Sequence, residues 1–331
     1  MTVNTAPLLY LSADQVRRAL PMPEAIAAMR RAFAQLSSGQ VTLPVRQSLP
    51  ATEGRGDALV MACHSAVERL FSLKFVTTYP DNPRQGLPTT QALVVLTDGA
   101  TGAHLAVMDG ASLTAIRTGA ASGLATDLLA RPDAGTVAVF GAGVQARTQL
   151  EAVCCVRTIR RASVCDPDSA AADRFAAEMT DRLGVQVERA DTPARNLADA
   201  DVVCTATSSC QPVFADRELR AGVHINAVGA YRPEMAEIPA SVVRRARVVV
   251  DHRASALEEA GDLLQPLRQG LIQRSHFDTE LGDVVLGRSP GRRHADEITL
   301  FKSVGVAIQD LCAAARVLAN VRQFGLGVQM S

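Results

Sequence analysis

Hydrophobic and polar positions follow two different periods along this chain. Ala25, Ala28, Met29, Ala32, Phe33 and Leu36 recur three and four apart, which predicts an amphipathic helix over Pro23–Leu36. Ser12, heading Ser12–Val16, is suited to cap a shorter helix before it. Short apolar runs separated by Gly, Pro or Asp then predict strands at Arg46–Leu49, Ala58–Ala62, Ser72–Tyr79, Thr90–Thr97 and His104–Asp109, an antiparallel or mixed sheet. An Ala-rich helix over Leu113–Leu129 follows, ended by Arg131-Pro132-Asp133.

From 133 to about 300 strand and helix alternate: Val137–Phe140, Gln145–Val156, Ala162–Cys165, Ser169–Leu183, Val185–Arg189, Asn196–Ala200, Val202–Ala206, Ile225–Val228 and Val248–Val250. This order calls for a doubly wound parallel sheet with right-handed crossovers, hence an α/β protein of Rossmann type beside a smaller α+β domain. Thr299–Asn320 reads as one long closing helix.

The turn at 136–146, Thr-Val-Ala-Val-Phe-Gly-Ala-Gly-Val-Gln-Ala, carries the first chemistry. A buried strand would end at Phe140, Gly141 would permit a tight turn, and Gly143 would let backbone N–H groups approach a pyrophosphate at a helix N-terminus. Ala142 lies between them, and Ala146 stands where a third glycine is usual, so an ordinary βα turn is the alternative. Asp166 lies 23 residues beyond Gly143, near the roughly 20 expected for the acid that holds the adenosine ribose. A carboxylate there, with Asp168 close by, accepts from ribose hydroxyls and repels a 2′-phosphate, which favours NAD while leaving NADP possible. The alternative for Asp166-Pro167-Asp168 is a turn that starts the next helix. Two further strand ends carry small or polar residues where ligands would sit: Ala206-Thr207-Ser208 and Val228-Gly229-Ala230.

At 331 residues the chain exceeds the roughly 250–300 at which one core stops growing, so two domains are expected. The 34 basic and 34 acidic residues balance, which leaves no electrostatic footprint for nucleic acid or an anionic membrane and points to a small-molecule partner. No stretch approaches the roughly 18 apolar residues of a membrane span, and a cytoplasmic protein is expected. Seven cysteines lack paired metal spacing, and six histidines show none, so neither disulfides nor metal are expected. The basic run Arg288–Arg293 reads as a solvated loop.

Val-Met-Asp-Gly at 107–110, Ala-Ile-Arg-Thr-Gly-Ala at 115–120, Gly-Ala-Gly-Val-Gln-Ala at 141–146, Ile-Asn-Ala-Val-Gly-Ala at 225–230 and Phe-Lys-Ser-Val-Gly at 301–305 resemble, in order, the ornithine cyclodeaminase and mu-crystallin family of nicotinamide-dependent enzymes. The resemblance spans nearly the whole chain. It implies a homodimer in which residues 1–120, rejoined by 305–331, bind substrate and form the dimer contact, while 121–304 bind NAD(P). It gives Arg46, Lys74 and Arg117 the task of gripping a substrate carboxylate and its nitrogen. The chemistry agrees, since an arginine fork holds a carboxylate bidentately and a lysine ammonium is a mobile point donor. Thr89, Arg117, Thr118, Val144, Gln145, Asp166, Thr207, Val228, Gly229 and Ala230 match cofactor-contacting positions, and Lys302 and Ser303 match near the nicotinamide.

One departure shapes the functional expectation. Where the cyclodeaminases carry a proton-handling aspartate after Gly-Ala or Gly-Gly, this chain has Tyr231, a hydrogen-bond donor and weak base at neutral pH. Glu234 or Glu237 could take that role; a solvated carboxylate at a helix start is the alternative. Reduction of an imino acid needs one hydride and one proton, which Lys74 or Tyr231 could provide. The resemblance therefore favours an NAD(P)H-dependent reductase of ketimines such as pyrroline-2-carboxylate. Ornithine cyclodeaminase and a weakly catalytic ligand-binding protein are the alternatives.

Overall fold

The computed structural model describes residues 8–51, 55–324 and 326–330. The chain divides into two compact units, Met1–Arg117 with Val306–Ser331, and Thr118–Gly305. In the first unit come β1 (Leu8–Leu11), α1 (Ala13–Ala19), α2 (Met22–Ser37), β2 (Val41–Thr42), β3 (Gln47–Pro50) and β4 (Asp57–Ser65). β5 (Leu70–Thr78), β6 (Thr90–Asp98) and β7 (His104–Asp109) complete its central strands, and the division falls inside α3 (Gly110–Leu129). The second unit contains β8 (Thr136–Phe140), α4 (Val144–Val156), β9 (Arg161–Cys165), α5 (Ser169–Leu183), β10 (Gln186–Arg189), α6 (Pro193–Leu197) and β11 (Val202–Thr205). It continues with β12 (His224–Ala227), α7 (Ala240–Arg245), β13 (Arg247–Val250), α8 (Arg253–Glu259), α9 (Gly261–Arg268), α10 (Leu281–Val285) and β14 (Thr299–Lys302). The chain then returns to the first unit with α11 (Ala307–Phe324) and β15 (Val328–Met330).

In the first unit the strands run β15-β1-β7-β6-β5-β4-β2, with β3 on β4, antiparallel except for β1 against β7. α11 packs on β4, β5 and β6, with α2 beside it. Period-two alternation on β5 turns Ser72, Lys74 and Val76 toward the buried side and leaves Phe71, Leu73 and Phe75 close to half exposed. The usual amphipathic pattern is thus inverted around Lys74, whose buried charge needs a partner.

The second unit holds seven parallel strands in the order β10-β9-β8-β11-β12-β14-β13. Both faces are apolar, as a helix-covered parallel sheet requires: Val137 and Val139 of β8 enter one core, Ala138 and Phe140 the other. Strand order reverses between β8 and β11, and this switch point opens a crevice at the carboxyl ends.

Two sequence expectations are corrected. Thr299–Lys302 is not the first turn of the closing helix but strand β14, fully buried between β12 and β13. Gly305, at φ 84°, breaks the chain before α11. Arg292, read as part of a solvated loop, instead donates to Leu129 O, Val223 O and Thr299 Oγ1, tying the loop to the amino ends of the sheet. Among the described residues, no helix is long and apolar enough to cross a membrane.

Candidate active site

Within the first unit, Lys74 of β5, Arg117 of α3 and Asp310 of α11 meet in the interior. Lys74 Nζ lies 2.7 Å from Asp310 Oδ2, and Arg117 Nε donates to Asp310 Oδ1 at 3.0 Å. Arg117 Nη1 donates to Gln309 Oε1, which also accepts from Val306 N–H. Lys74, Arg117 and Asp310 are at most 5% exposed, and one carboxylate is shared by two cations. Burial pushes the Lys74 ammonium down to about 8; Asp310 opposes the fall, and the like charges of Arg117 and Arg46 deepen it. Arg46 lies half-buried just ahead of β3. The Gln309 amide nitrogen is buried with no hydrogen-bond partner among the described residues. The group thus has positive charge in excess and an unused donor, an arrangement that fits a small carboxylate. Thr89 is placed elsewhere in the unit, in an exposed loop ahead of β6.

The glycine turn of the second unit is built for close approach. Gly141 has φ 94°, and a Cβ there would lie 2.7 Å from Ala206 O, so β8 and β11 converge tightly at the switch point. A Cβ on Gly143, the N-cap of α4, would meet nothing within 4 Å, which leaves open space over the helix N-terminus and its uncommitted N–H groups. The turn therefore fits a dinucleotide pyrophosphate. Val144 at its lip is exposed, and Gln145 is half-buried. Asp166 Oδ2 accepts from Ala142 N–H at 2.8 Å and Oδ1 from Asp168 N–H, so the acid braces the turn and keeps further lone pairs. Asp168 caps α5 by accepting from Ala171 N–H, the helix-start role that was its alternative. Arg147 donates to Ala142 O and Gly143 O and to Glu178, so its charge is committed at the turn.

Around the other strand ends, Thr207, Val228 and Gly229 are half-buried, Ala230 is buried and Ser208 is exposed. Thr118 is buried in the second unit's part of α3. Tyr231 is half-buried, with the Arg232 guanidinium 5.4 Å from its ring centre. Glu234 is exposed, whereas Glu237 is fully buried and accepts hydrogen bonds at both oxygens; a solvated Glu237 is not what the fold provides. Lys302 is likewise fully enclosed, paired with Asp262, and Ser303 Oγ donates to Asp251. His224 is buried and uncharged, pushed down to about 3 by burial, and bridges Thr299 and Asn226 as a structural histidine.

Sequence reasoning missed Asp310 and Gln309, and the buried acids Asp251 and Asp262. A signal was present: Gln309-Asp310 interrupts the apolar run Val304–Ala315, where two adjacent polar residues have no solvated face to occupy.

A parallel sheet with a glycine turn at its switch point, joined in one chain to a second α/β unit that buries two cations around one carboxylate, defines a Rossmann-type α/β protein. The family profile of ornithine cyclodeaminase/mu-crystallin proteins matches residues 8–324, and the chain belongs to that family. It is 37% identical over 321 residues to a Delta(1)-pyrroline-2-carboxylate reductase of Bacillus cereus, covering 97% of this chain and 98% of that one. Among solved structures it is similar to Thermococcus litoralis Delta(1)-pyrroline-2-carboxylate reductase in complex with NADH and L-proline, with TM-score 0.95, 38% identity, and 98% and 100% of the two chains covered. It also resembles an archaeal alanine dehydrogenase dimer with bound NAD, at TM-score 0.92 and 33% identity over 98% and 99% of the chains.

Proposed function

We propose that this protein is an NAD(H)-dependent reductase of small imino acids, with ketimines such as pyrroline-2-carboxylate as substrates and the amino acid as product. The observation that carries this reading is the Lys74–Asp310–Arg117 group: two buried cations share one carboxylate, and Arg46 adds a third positive charge nearby. Removing one partner from a buried charge group is costly, and an incoming substrate carboxylate offsets the excess. The relatives that act on pyrroline-2-carboxylate, one of them holding NADH and L-proline, support the same reading.

In this mechanism Arg117 and Arg46 hold the carboxylate, and Asp310 keeps Arg117 and Lys74 at fixed spacing. The Lys74 ammonium, softened to about 8, donates its proton to the imine nitrogen, which makes the adjacent carbon more electrophilic. When bound, the reduced nicotinamide supplies the hydride that completes C=N reduction. The glycine turn holds the pyrophosphate, and Asp166 holds the ribose, favouring NAD over NADP. Exposed Glu234 and fully bonded Glu237 are both poorly suited to replace the cyclodeaminase aspartate, which argues against ornithine cyclisation.

The protein acts as a homodimer in the cytoplasm. The outward face of β5 and β6, with Phe71, Leu73, Phe75 and Leu93 each 44–48% exposed, suits a second copy, and the dimeric archaeal relative supports that assembly.

The test is absorbance at 340 nm with purified protein, pyrroline-2-carboxylate and NADH or NADPH, beside ornithine with NAD scored for ammonia and proline. Imine-dependent loss of NADH is expected; ammonia and proline without net cofactor change would overturn the proposal.

A further inference from the structure

Glu237 is a fully buried carboxylate with five donors on its two oxygens. Oε1 accepts from Thr207 N–H at 2.7 Å and Thr207 Oγ1 at 2.8 Å. Oε2 accepts from Gly229 N–H at 2.8 Å, Ala230 N–H at 3.0 Å and Thr205 Oγ1 at 3.0 Å. The donors come from the ends of two neighbouring parallel strands, β11 and β12, where Val228 N–H and Gly229 N–H also donate to Thr205 O. A Cβ on Gly229 would lie 2.3 Å from Thr207 O and 2.4 Å from Glu237 Oε1, so the two loops touch with no room between them.

The carboxylate is itself held from behind. Asp262 Oδ1 accepts from Glu237 N–H at 2.6 Å and Ile238 N–H at 3.0 Å, and Asp262 Oδ2 pairs with Lys302 Nζ at 2.8 Å. Lys302 Nζ also donates to Ala230 O at 2.5 Å, gripping the same loop by its carbonyl while Glu237 takes its N–H. Burial and the adjacent Asp262 push the Glu237 carboxyl upward, while Lys302 and the Thr207 donors pull it back. Three backbone N–H groups, which can only donate, suit the ionised form, since a carboxylate only accepts.

We propose that Glu237, backed by Asp262 and Lys302, is a positioning residue that fixes the β11 and β12 loops as one rigid floor for the dinucleotide, without touching it. The inference rests on the NAD(H) reading above. It also gives Lys302 a role different from direct contact: its charge neutralises the acidic pair and anchors Ala230.

The experiment compares Glu237→Gln with wild type by NADH fluorescence titration, steady-state kinetics and thermal unfolding. The threonine hydroxyls can turn to accept from an amide, but its NH2 group must face either Thr207 N–H or the N–H groups of Gly229 and Ala230, so one loop loses its backbone anchor. The dissociation constant and KM for NADH are expected to rise about tenfold or more, with kcat at saturating NADH and KM for the imino acid changed little. A role in stability alone would lower the melting temperature and leave NADH affinity unchanged at temperatures well below melting; that result overturns the proposal. If Glu237→Gln does not fold, Thr205→Val removes a single donor and keeps the shape; about a threefold weaker NADH affinity supports the proposal, and no change overturns it. Wild-type protein that binds no dinucleotide at all would overturn the NAD(H) reading and this inference with it.

Discussion

Asp310 meets two cations with one carboxylate, so its removal and that of Lys74 have different consequences. Lys74→Met should lower turnover about a hundredfold or more while NADH affinity, measured by titration, stays near wild type. In wild type, kcat/KM for the imino acid should fall as pH rises through about 8, because the ammonium that donates the proton is lost there. Asp310→Asn removes the charge that opposes burial, so Lys74 should lose its proton more readily and this alkaline limb should move to lower pH. A limb unmoved in that variant would assign it to another group. At the turn, Asp166→Ser should narrow the preference for NADH over NADPH, read as the ratio of kcat/KM values. Lys74 and Arg117 were singled out through the family resemblance, Arg117 inside its 115–120 motif, and the structure brings the two together. Asp310 was not singled out: it lies 193 positions from Arg117, in a segment read only as one long closing helix.

Elements at the carboxyl edge of the parallel sheet depend on backbone more than on side chains. Gly141→Ala would place a Cβ against Ala206 O in a conformation that L residues rarely adopt, so NADH affinity should fall about a hundredfold, with a lowered melting temperature. Unchanged affinity would mean that the turn is ordinary connecting structure. The β8–α4–β9 unit was legible because strand, glycine pair, amphipathic helix and second strand each have their own pattern. β14 was not, because a buried parallel strand of four residues reads the same as a turn of buried helix, and only Ser303–Val306 separates it from α11. The buried acids were also hidden, since Glu237 and Asp251 look like loop residues until their backbone donors are assembled around them.

For the whole molecule, the proposed homodimer is tested at the outward face of β5. Phe75 is nearly half exposed in the single chain, so Phe75→Lys should leave the protomer folded and shift sedimentation from dimer to monomer. A dimer that survives would place the contact elsewhere. Strand and helix order was enough to reveal the parallel sheet, whereas the inverted alternation of β5, with lysine inward and phenylalanines outward, became intelligible only with α11 on one side and a partner expected on the other.

The first unit is discontinuous in the chain, and its last strand, β15, pairs with its first, β1. On the ribosome, Arg117 emerges 193 residues ahead of Asp310, the carboxylate it shares with Lys74. Until α11 is made, two like charges destined for one buried spot have nothing between them. Synthesis therefore delivers Thr118–Gly305 as one continuous piece before α11, which carries the carboxylate that completes the first unit's buried charge group.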